Sequence, residues 1–321
     1  MCIPDSEAAL MDKQDLEIVN TLFGPLYTFK GDSISRDLKL YCAYQRNDLA
    51  MTQSFINKGD IVFDVGAHIG TFSIPIAKKV GGQGQVYAFE ALEGNYRVLK
   101  KNIEFNLMES MITPAWAAVS DQGSYFKAQA GFLNNTGSTY LIAQESNQPE
   151  GIPSLVLDDY YRKIACRNCV DFIKIDTEGM EYRVLRGCEA ILEKFKPCLL
   201  VEICPPFLMR FGHSARDIQT LLQKYGYHFF INLGPASSSS DSYVLGRLPN
   251  LYQPSGLFNL LAVHPDSNRY PKAYQGALAT AFFFPKHHMK RICKRACRIR
   301  IDGSLKNDLS NLTRSIRFLL S

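Results

Sequence analysis

From residue 60 onward, short apolar runs of strand-forming residues alternate with segments whose apolar positions recur at helical spacing, which predicts βαβ units and a parallel sheet. Residues 60–65, Asp-Ile-Val-Phe-Asp-Val, read as a buried strand and 71–79 as the helix after it. Residues 85–90 form the next strand, and 93–105 carry Tyr96, Leu99 and Ile103 at helical spacing. A third strand covers about 112–119. The alternation resumes with strand 171–176, helix 180–195, strand 198–203 and helix 215–225, then two strands near 227–233 and 257–264. Between 121 and 157 the text turns to short polar stretches with Gly and Asn, read as an inserted hairpin or lid.

Seven strands, the last two joined without a convincing helix, predict an α/β fold: a seven-stranded Rossmann-like sheet, mostly parallel with the last strand antiparallel, and helices on both faces. Residues 1–59 are expected to be a helical or irregular extension, with a helix at 47–56 leading into the first strand. Residues 60–264 make the main domain. Residues 265–321 form a basic C-terminal extension outside the sheet pattern.

Composition changes this picture little. At 321 residues the chain suits one large domain with additions. The apolar stretch 276–284 is far below the roughly 20 residues of a membrane-spanning helix. The first residues, MCIPDSEAALMDKQ, are acidic and lack the order of a secretory signal. Nine cysteines, an odd number without framework spacing, fit a reducing cytoplasm. Cys166 and Cys169 form a CxxC with no second ligand pair at zinc-site spacing, so it reads as a loop.

Charge is unevenly placed. The net value is +5, yet residues 286–321 hold ten Lys/Arg against two Asp/Glu, leaving 26 against 29 in residues 1–285. Within 286–300, Ile292, Cys293, Ala296 and Ile299 fall together on a helix ringed by Lys and Arg. Such a helix suits an anionic membrane surface, making a peripheral location at the inner membrane face one reading; a solvated helix or a nucleic-acid contact are the others.

The chemistry begins where the first strand ends. Asp64-Val65-Gly66-Ala67-His68-Ile69-Gly70 has G-x-x-x-G preceded by an acid, where a dinucleotide enzyme wants G-x-G-x-x-G to bring amides to a pyrophosphate. S-adenosylmethionine has no phosphate; it carries an ammonium and a sulfonium, which an acid near the turn suits. Glu90 closes the second strand, where a carboxylate accepts hydrogen bonds from ribose hydroxyls. The alternative is that Gly66 and Gly70 only permit close helix packing and Asp64 caps a helix.

These residues resemble the FkbM family of methyltransferases over roughly residues 45–264. The blocks are VFDVGAHIGTFS (62–73), VYAFEALEGNYRVLKKNIEFN (86–106), AVSD (118–121), LDDY (157–160), FIKIDTEGMEYRVLRG (172–187) and LLVEI (199–203). The family usually has Asn where His68 stands and Pro where Ala91 stands. The resemblance implies S-adenosylmethionine as donor and, usually, O-methylation of a hydroxyl on a sugar, glycan, polyketide or similar small molecule. The expected cofactor-binding residues are Asp64, Gly66, Ala67, His68, Gly70, Glu90, Asn95 and Ala118.

At the reactive end, strand 171–176 and the turn after it deliver Lys174, Asp176, Glu178 and Glu181. Asp176 is expected to face the methyl group as base or acceptor-orienting residue. Glu178 and Glu181 lie at a helix start, where the dipole alone favours acids. Glu202, an acid within LLVEI, is the next catalytic candidate, with a structural ion pair as the alternative. Asp158 or Asp159 is expected to cap the helix ahead of residue 171, the alternative being a carboxylate cluster with Asp176 suited to magnesium; no metal is assigned. Cys204-Pro205-Pro206-Phe207 is similar to the N/D-P-P-Y/F loop of base-modifying methyltransferases, but Cys204 lacks the needed oxygen acceptor, so it reads as a strand-ending turn. A nucleic-acid methyltransferase and a catalytically silent S-adenosylmethionine-binding protein are the competing readings.

Overall fold

A hairpin precedes the central sheet: β1 (Leu16–Thr21) and β2 (Gly24–Phe29) pair antiparallel. Helices α1 (Ser33–Tyr41) and α2 (Arg46–Ser54) follow. The extension expected to be helical or irregular thus contains strands as well. Its turn is held by Thr21, whose Oγ1 donates to the Gly24 carbonyl at 2.6 Å and accepts from the Phe23 amide at 3.1 Å. Pro25 is tolerated because a two-stranded ribbon has only edges. The structure is a computed structural model and describes residues 15–129, 139–143, 151–164, 169–234, 241–248, 251 and 256–283. Cys166, the core of the insertion (130–138) and the basic stretch 286–300 lie outside the described residues.

The alternating text then becomes β3 (Ile61–Val65), α3 (Ser73–Val80), β4 (Gln85–Glu90), α4 (Glu93–Phe105) and β5 (Ile112–Trp116). Next come β6 (Ala118–Val119), β7 (Tyr125–Gln129), β8 (Tyr140–Ala143), β9 (Ile152–Leu155) and α5 (Leu157–Ile164). The chain continues through β10 (Phe172–Ile175), α6 (Glu181–Arg186), α7 (Glu189–Phe195), β11 (Cys198–Ile203), α8 (Pro205–Arg210) and α9 (Ala215–Lys224). It closes with β12 (His228–Asn232), β13 (Leu245–Leu248), β14 (Phe258–Val263) and α10 (Tyr270–Phe283).

The main sheet has the order β13-β12-β14-β11-β10-β3-β4-β5. β11, β10, β3, β4 and β5 are parallel, and β14 runs antiparallel between β11 and β12. The mostly parallel sheet with an antiparallel last strand is therefore present. It has eight strands where seven were expected, because β13 extends the edge beside β12. β12 and β14 are neighbours but not a simple hairpin, since β13 intervenes along the chain.

The strands bury both faces, as parallel strands must. Val62, Val86, Phe172, Leu200 and Leu261 pack on one side with α1 to α4 and α10. Phe63, Phe89, Ile173, Val201 and Leu260 pack on the other with α5 to α9. α10 contributes Ala273 and Ala277 to the first of these cores, so the start of the C-terminal extension belongs to the body.

Four local expectations are corrected. The strand expected to run to Val119 breaks at Ala117: β5 ends in the main sheet, whereas β6 opens a four-stranded sheet of order β6-β9-β7-β8 that contains the described part of the insertion. The helix expected over 180–195 is two helices, because Gly187 sits against the Ser120 carbonyl, where a Cβ would come within 2.2 Å. Residues 205–210 are a short helix and not a turn, with two prolines at its first positions, where no amide donor is needed. Asp158 caps the N-terminus of α7, not of its own helix: its carboxylate accepts from the Ala190 and Ile191 amides, each at 3.0 Å.

Candidate active site

Strand order reverses at β3, which has β4 on one side and β10 on the other, so a crevice opens beyond its carboxyl end. A cavity of about 330 Å3 lies there. Its floor is set by one close approach. Gly66 has φ +81°, and a Cβ on it would stand 1.7 Å from the Asp176 carbonyl oxygen. The turn after β3 and the turn after β10 thus touch backbone to backbone, and the Asp176 amide donates to the Val65 carbonyl at 3.0 Å.

On the β4 side the glycine turn is pinned to the strand beside it, with the Gly66 and Ala67 amides both donating to the Phe89 carbonyl. Glu90 accepts from the His68 amide at 2.8 Å and the Leu92 amide at 2.9 Å, and more weakly from Asn95 Nδ2 at 3.5 Å. Burial pushes its carboxyl up to about 7 despite these donors. His68 sits at φ +51°, a region in which His is among the more tolerant residues, so the departure from the usual Asn is conformationally accommodated. Burial lowers its imidazole to about 4, leaving it neutral at pH 7. Asn95 is buried with its Oδ1 lacking a hydrogen-bond partner among the described residues, and it lines the cavity. Leu92, Ala118 and Leu141 add an apolar wall.

Two residues expected to bind cofactor do not line the cavity. Asp64 is fully buried behind it, accepting from Ser73 Oγ at 2.5 Å and standing 3.6 Å from Lys174 Nζ. Asp64 shares a sheet face with its register partner Lys174, and there Ser73 at the start of α3 covers it. Gly70 is a packing residue, since a Cβ there would meet Leu99 Cδ1 at 3.0 Å. Gly66, Ala67, His68, Glu90, Asn95 and Ala118 do line it.

On the β10 side, Asp176, Glu178 and Glu202 all reach the cavity. Lys174 Nζ lies 3.2 Å from Asp176 Oδ2. Burial works against this ammonium, yet Asp176 and Asp64 outweigh it and hold its pKa above the ordinary value. Burial, then Asp176 and Glu181, push Glu178 up to about 9. Burial, then Asp176 and Glu178, push Glu202 well above the usual carboxylate range. Glu181 has the structural role weighed for it: Oε1 accepts from the Thr177 amide, the Thr177 hydroxyl and the Gly179 amide, fixing the loop that carries Glu178.

Gln45, His68 and Glu178 line the cavity with positive φ. Non-glycine residues in that region gather at functional sites, where the surrounding structure holds the strain. Gln45 and its neighbour Tyr44 come from the loop between α1 and α2, and Thr139 and Leu141 from the inserted sheet. Sequence reasoning missed all four, and it gave Lys174 no role.

The model of the methyltransferase FkbM domain matches residues 64–229, more than half of the chain. The chain belongs to this family. No curated protein matches it. Among solved structures it is similar to the FkbM methyltransferase of Methylobacillus flagellatus KT, with 16% identity over 64% of this chain and 43% of that one and a TM-score of 0.37. Aeropyrum pernix fibrillarin, solved with bound S-adenosyl-L-methionine, is similar over 79% of this chain and 86% of that one, with 14% identity and a TM-score of 0.39. The O-methyltransferase of Bacillus cereus, solved with SAH, has 14% identity over 68% and 80% and a TM-score of 0.37. Similarity this distant says nothing of what the FkbM-family chain methylates. No helix among the described residues is long and apolar enough to cross a membrane.

Proposed function

We propose that this FkbM-family protein moves a methyl group from S-adenosylmethionine to a hydroxyl on a sugar, glycan or other small natural product. The observation that carries the reading is the continuity of the cavity from Glu90, through the Gly66 turn, to Asp176. A nucleoside end and a reactive end share one backbone junction.

The residues fit the donor. Asn95 Oδ1 is a buried acceptor in need of a donor, which adjoining polar groups of a ligand supply. Glu90 has lone pairs left after its two backbone amides and takes ribose hydroxyls with them. The turn residues Gly66, Ala67 and His68 take the amino-acid end, and Ala118 the base. Asp64 acts through Lys174 and Ser73 and does not touch the ligand. When bound, S-adenosylmethionine supplies an electrophilic methyl group on a sulfonium.

The protein's own work is placement and one proton. Positioning the acceptor oxygen in line can supply about 7 to 11 kcal/mol. Asp176 orients the acceptor hydroxyl and takes its proton, while Lys174, 3.2 Å from its Oδ2, fixes the aspartate's rotamer. Glu178 and Glu202 surround the acceptor. Labelled-methyl transfer from S-adenosylmethionine across sugars, lipid-linked glycans and RNA tests the reading. Label in a hydroxyl of a small molecule or glycan is the expected outcome; label only in RNA replaces the acceptor. Calorimetric binding of NAD without binding of S-adenosylhomocysteine would remove the donor as well.

A further inference from the structure

The reactive end holds more carboxyl groups than methyl transfer requires. Asp176, Glu178 and Glu202 line the cavity beside the ammonium of Lys174.

The geometry of the excess is specific. Asp176, Glu178 and Glu202 each direct one carboxylate oxygen so that all three lie within 4.8 Å of one another. Two oxygens on opposite sides of an ion with bonds of about 2.4 Å stand about 4.8 Å apart, so the three already fit one coordination sphere. A second observation is independent of this spacing. Glu202 is 5% exposed, lines the cavity, and its Oε2 has no hydrogen-bond partner among the described residues. Its register partner across the sheet, Asn259, gives its amide to Asp48 and Gln45 instead. A buried carboxylate without a partner is expensive, and an aimed cation is what offsets it.

We propose that Asp176, Glu178 and Glu202 bind one hard divalent cation of the magnesium, manganese or calcium kind. The all-oxygen donor set excludes a soft ion as the preferred occupant. Lys174 occupies one side of Asp176, and the ion takes the side facing Glu178 and Glu202. The use of the ion rests on the methyl-transfer reading: there it holds the acceptor oxygen and makes its hydroxyl more acidic.

Manganese titration of the intact protein, followed by electron paramagnetic resonance, tests the site. The expected result is one bound ion per chain, displaced by magnesium or calcium. Glu202→Gln and Glu178→Gln should each weaken it at least about tenfold, with exposed Asp159→Asn unchanged. Near-ultraviolet circular dichroism checks that each variant is folded, and Glu178, being the less buried, decides if Glu202→Gln is not. No manganese binding, or equal binding in both glutamine variants, overturns the proposal. S-adenosylhomocysteine titrated into the same samples separates the two readings. Manganese bound without it overturns the donor and leaves the ion site standing; the reverse overturns the ion site alone.

Discussion

The two ends of the cavity handle buried carboxylates in opposite ways. At the nucleoside end, Glu90 is met by two backbone amides and an asparagine, and burial still raises it to about 7. At the reactive end, Asp176, Glu178 and Glu202 crowd one another with one lysine among them, and Glu178 is raised to about 9. One end is satisfied by its own backbone; the other is under electrostatic load. At the binding end the carboxylate is partnered before its ligand arrives, whereas a reactive end keeps carboxyl groups whose needs are met by what they act on.

The most severe way to break this contrast is to push the ends apart. Gly66→Ala drives a Cβ into the Asp176 carbonyl at a backbone angle that suits glycine. It should destabilise the protein by about 3 kcal/mol in urea denaturation and weaken donor and acceptor binding together. Asp176→Asn touches the reactive end alone. Turnover should fall by about a hundredfold to ten-thousandfold while S-adenosylhomocysteine affinity, by calorimetry, stays near that of the parent; full activity would remove Asp176 from the mechanism.

Glu90→Gln touches the other end. It should weaken donor binding by about tenfold to a hundredfold, as loss of a charged acceptor does. The pH dependence sharpens the test. The ionised carboxylate binds hydroxyls, so in the parent, affinity should fall as pH drops below about 7, by up to about tenfold per pH unit. Glu90→Gln should lose that slope. The smallest effect is expected from Glu202→Gln, which should stabilise the ligand-free protein by about 1 kcal/mol. The folded carboxyl holds its proton to higher pH than the unfolded one, so the parent loses stability as pH rises above the ordinary carboxylate range. The gap in melting temperature between variant and parent should therefore widen with pH.

Much of this was legible in residue order because parallel strands write themselves as unbroken apolar runs. Ile61–Val65 is buried at every position, and so is Cys198–Ile203. Edge strands leave a weaker trace: β13 is Leu-Gly-Arg-Leu, with half its length turned outward, and nothing in it alternates cleanly. The helix break at Gly187 is written in the Ser120 carbonyl, nearly seventy residues away, and no local spacing could reveal it. The site divided along the same line. Residues after strand ends, such as Gly66 and Asp176, do line the cavity, since a strand end fixes where the backbone goes. Asp64 was misplaced because position along a strand does not tell which face is roofed by a helix, and Ser73 roofs this one. Tyr44 and Gln45 reach the cavity from a segment whose path depends on Asp48 meeting Asn232 and Asn259, contacts made across 184 and 211 residues.

The amide of Asn102 has a practical consequence. It is wholly buried in α4 and gives its hydrogens to the carbonyls of Ile69 and Tyr27, while its oxygen accepts from the Tyr27 amide. Asn106 adds a bond to the Pro25 carbonyl. The first hairpin is thereby stitched to the helix that follows Glu90 and to the glycine turn itself. An expression boundary drawn just ahead of β3, a few residues before the family match starts, would cut those stitches. It would strand a buried amide and bare the apolar side of α4, and the shortened protein should be poorly soluble where the longer one is not. The hairpin behaves as the first course of masonry under the donor site, and any boundary has to leave it whole.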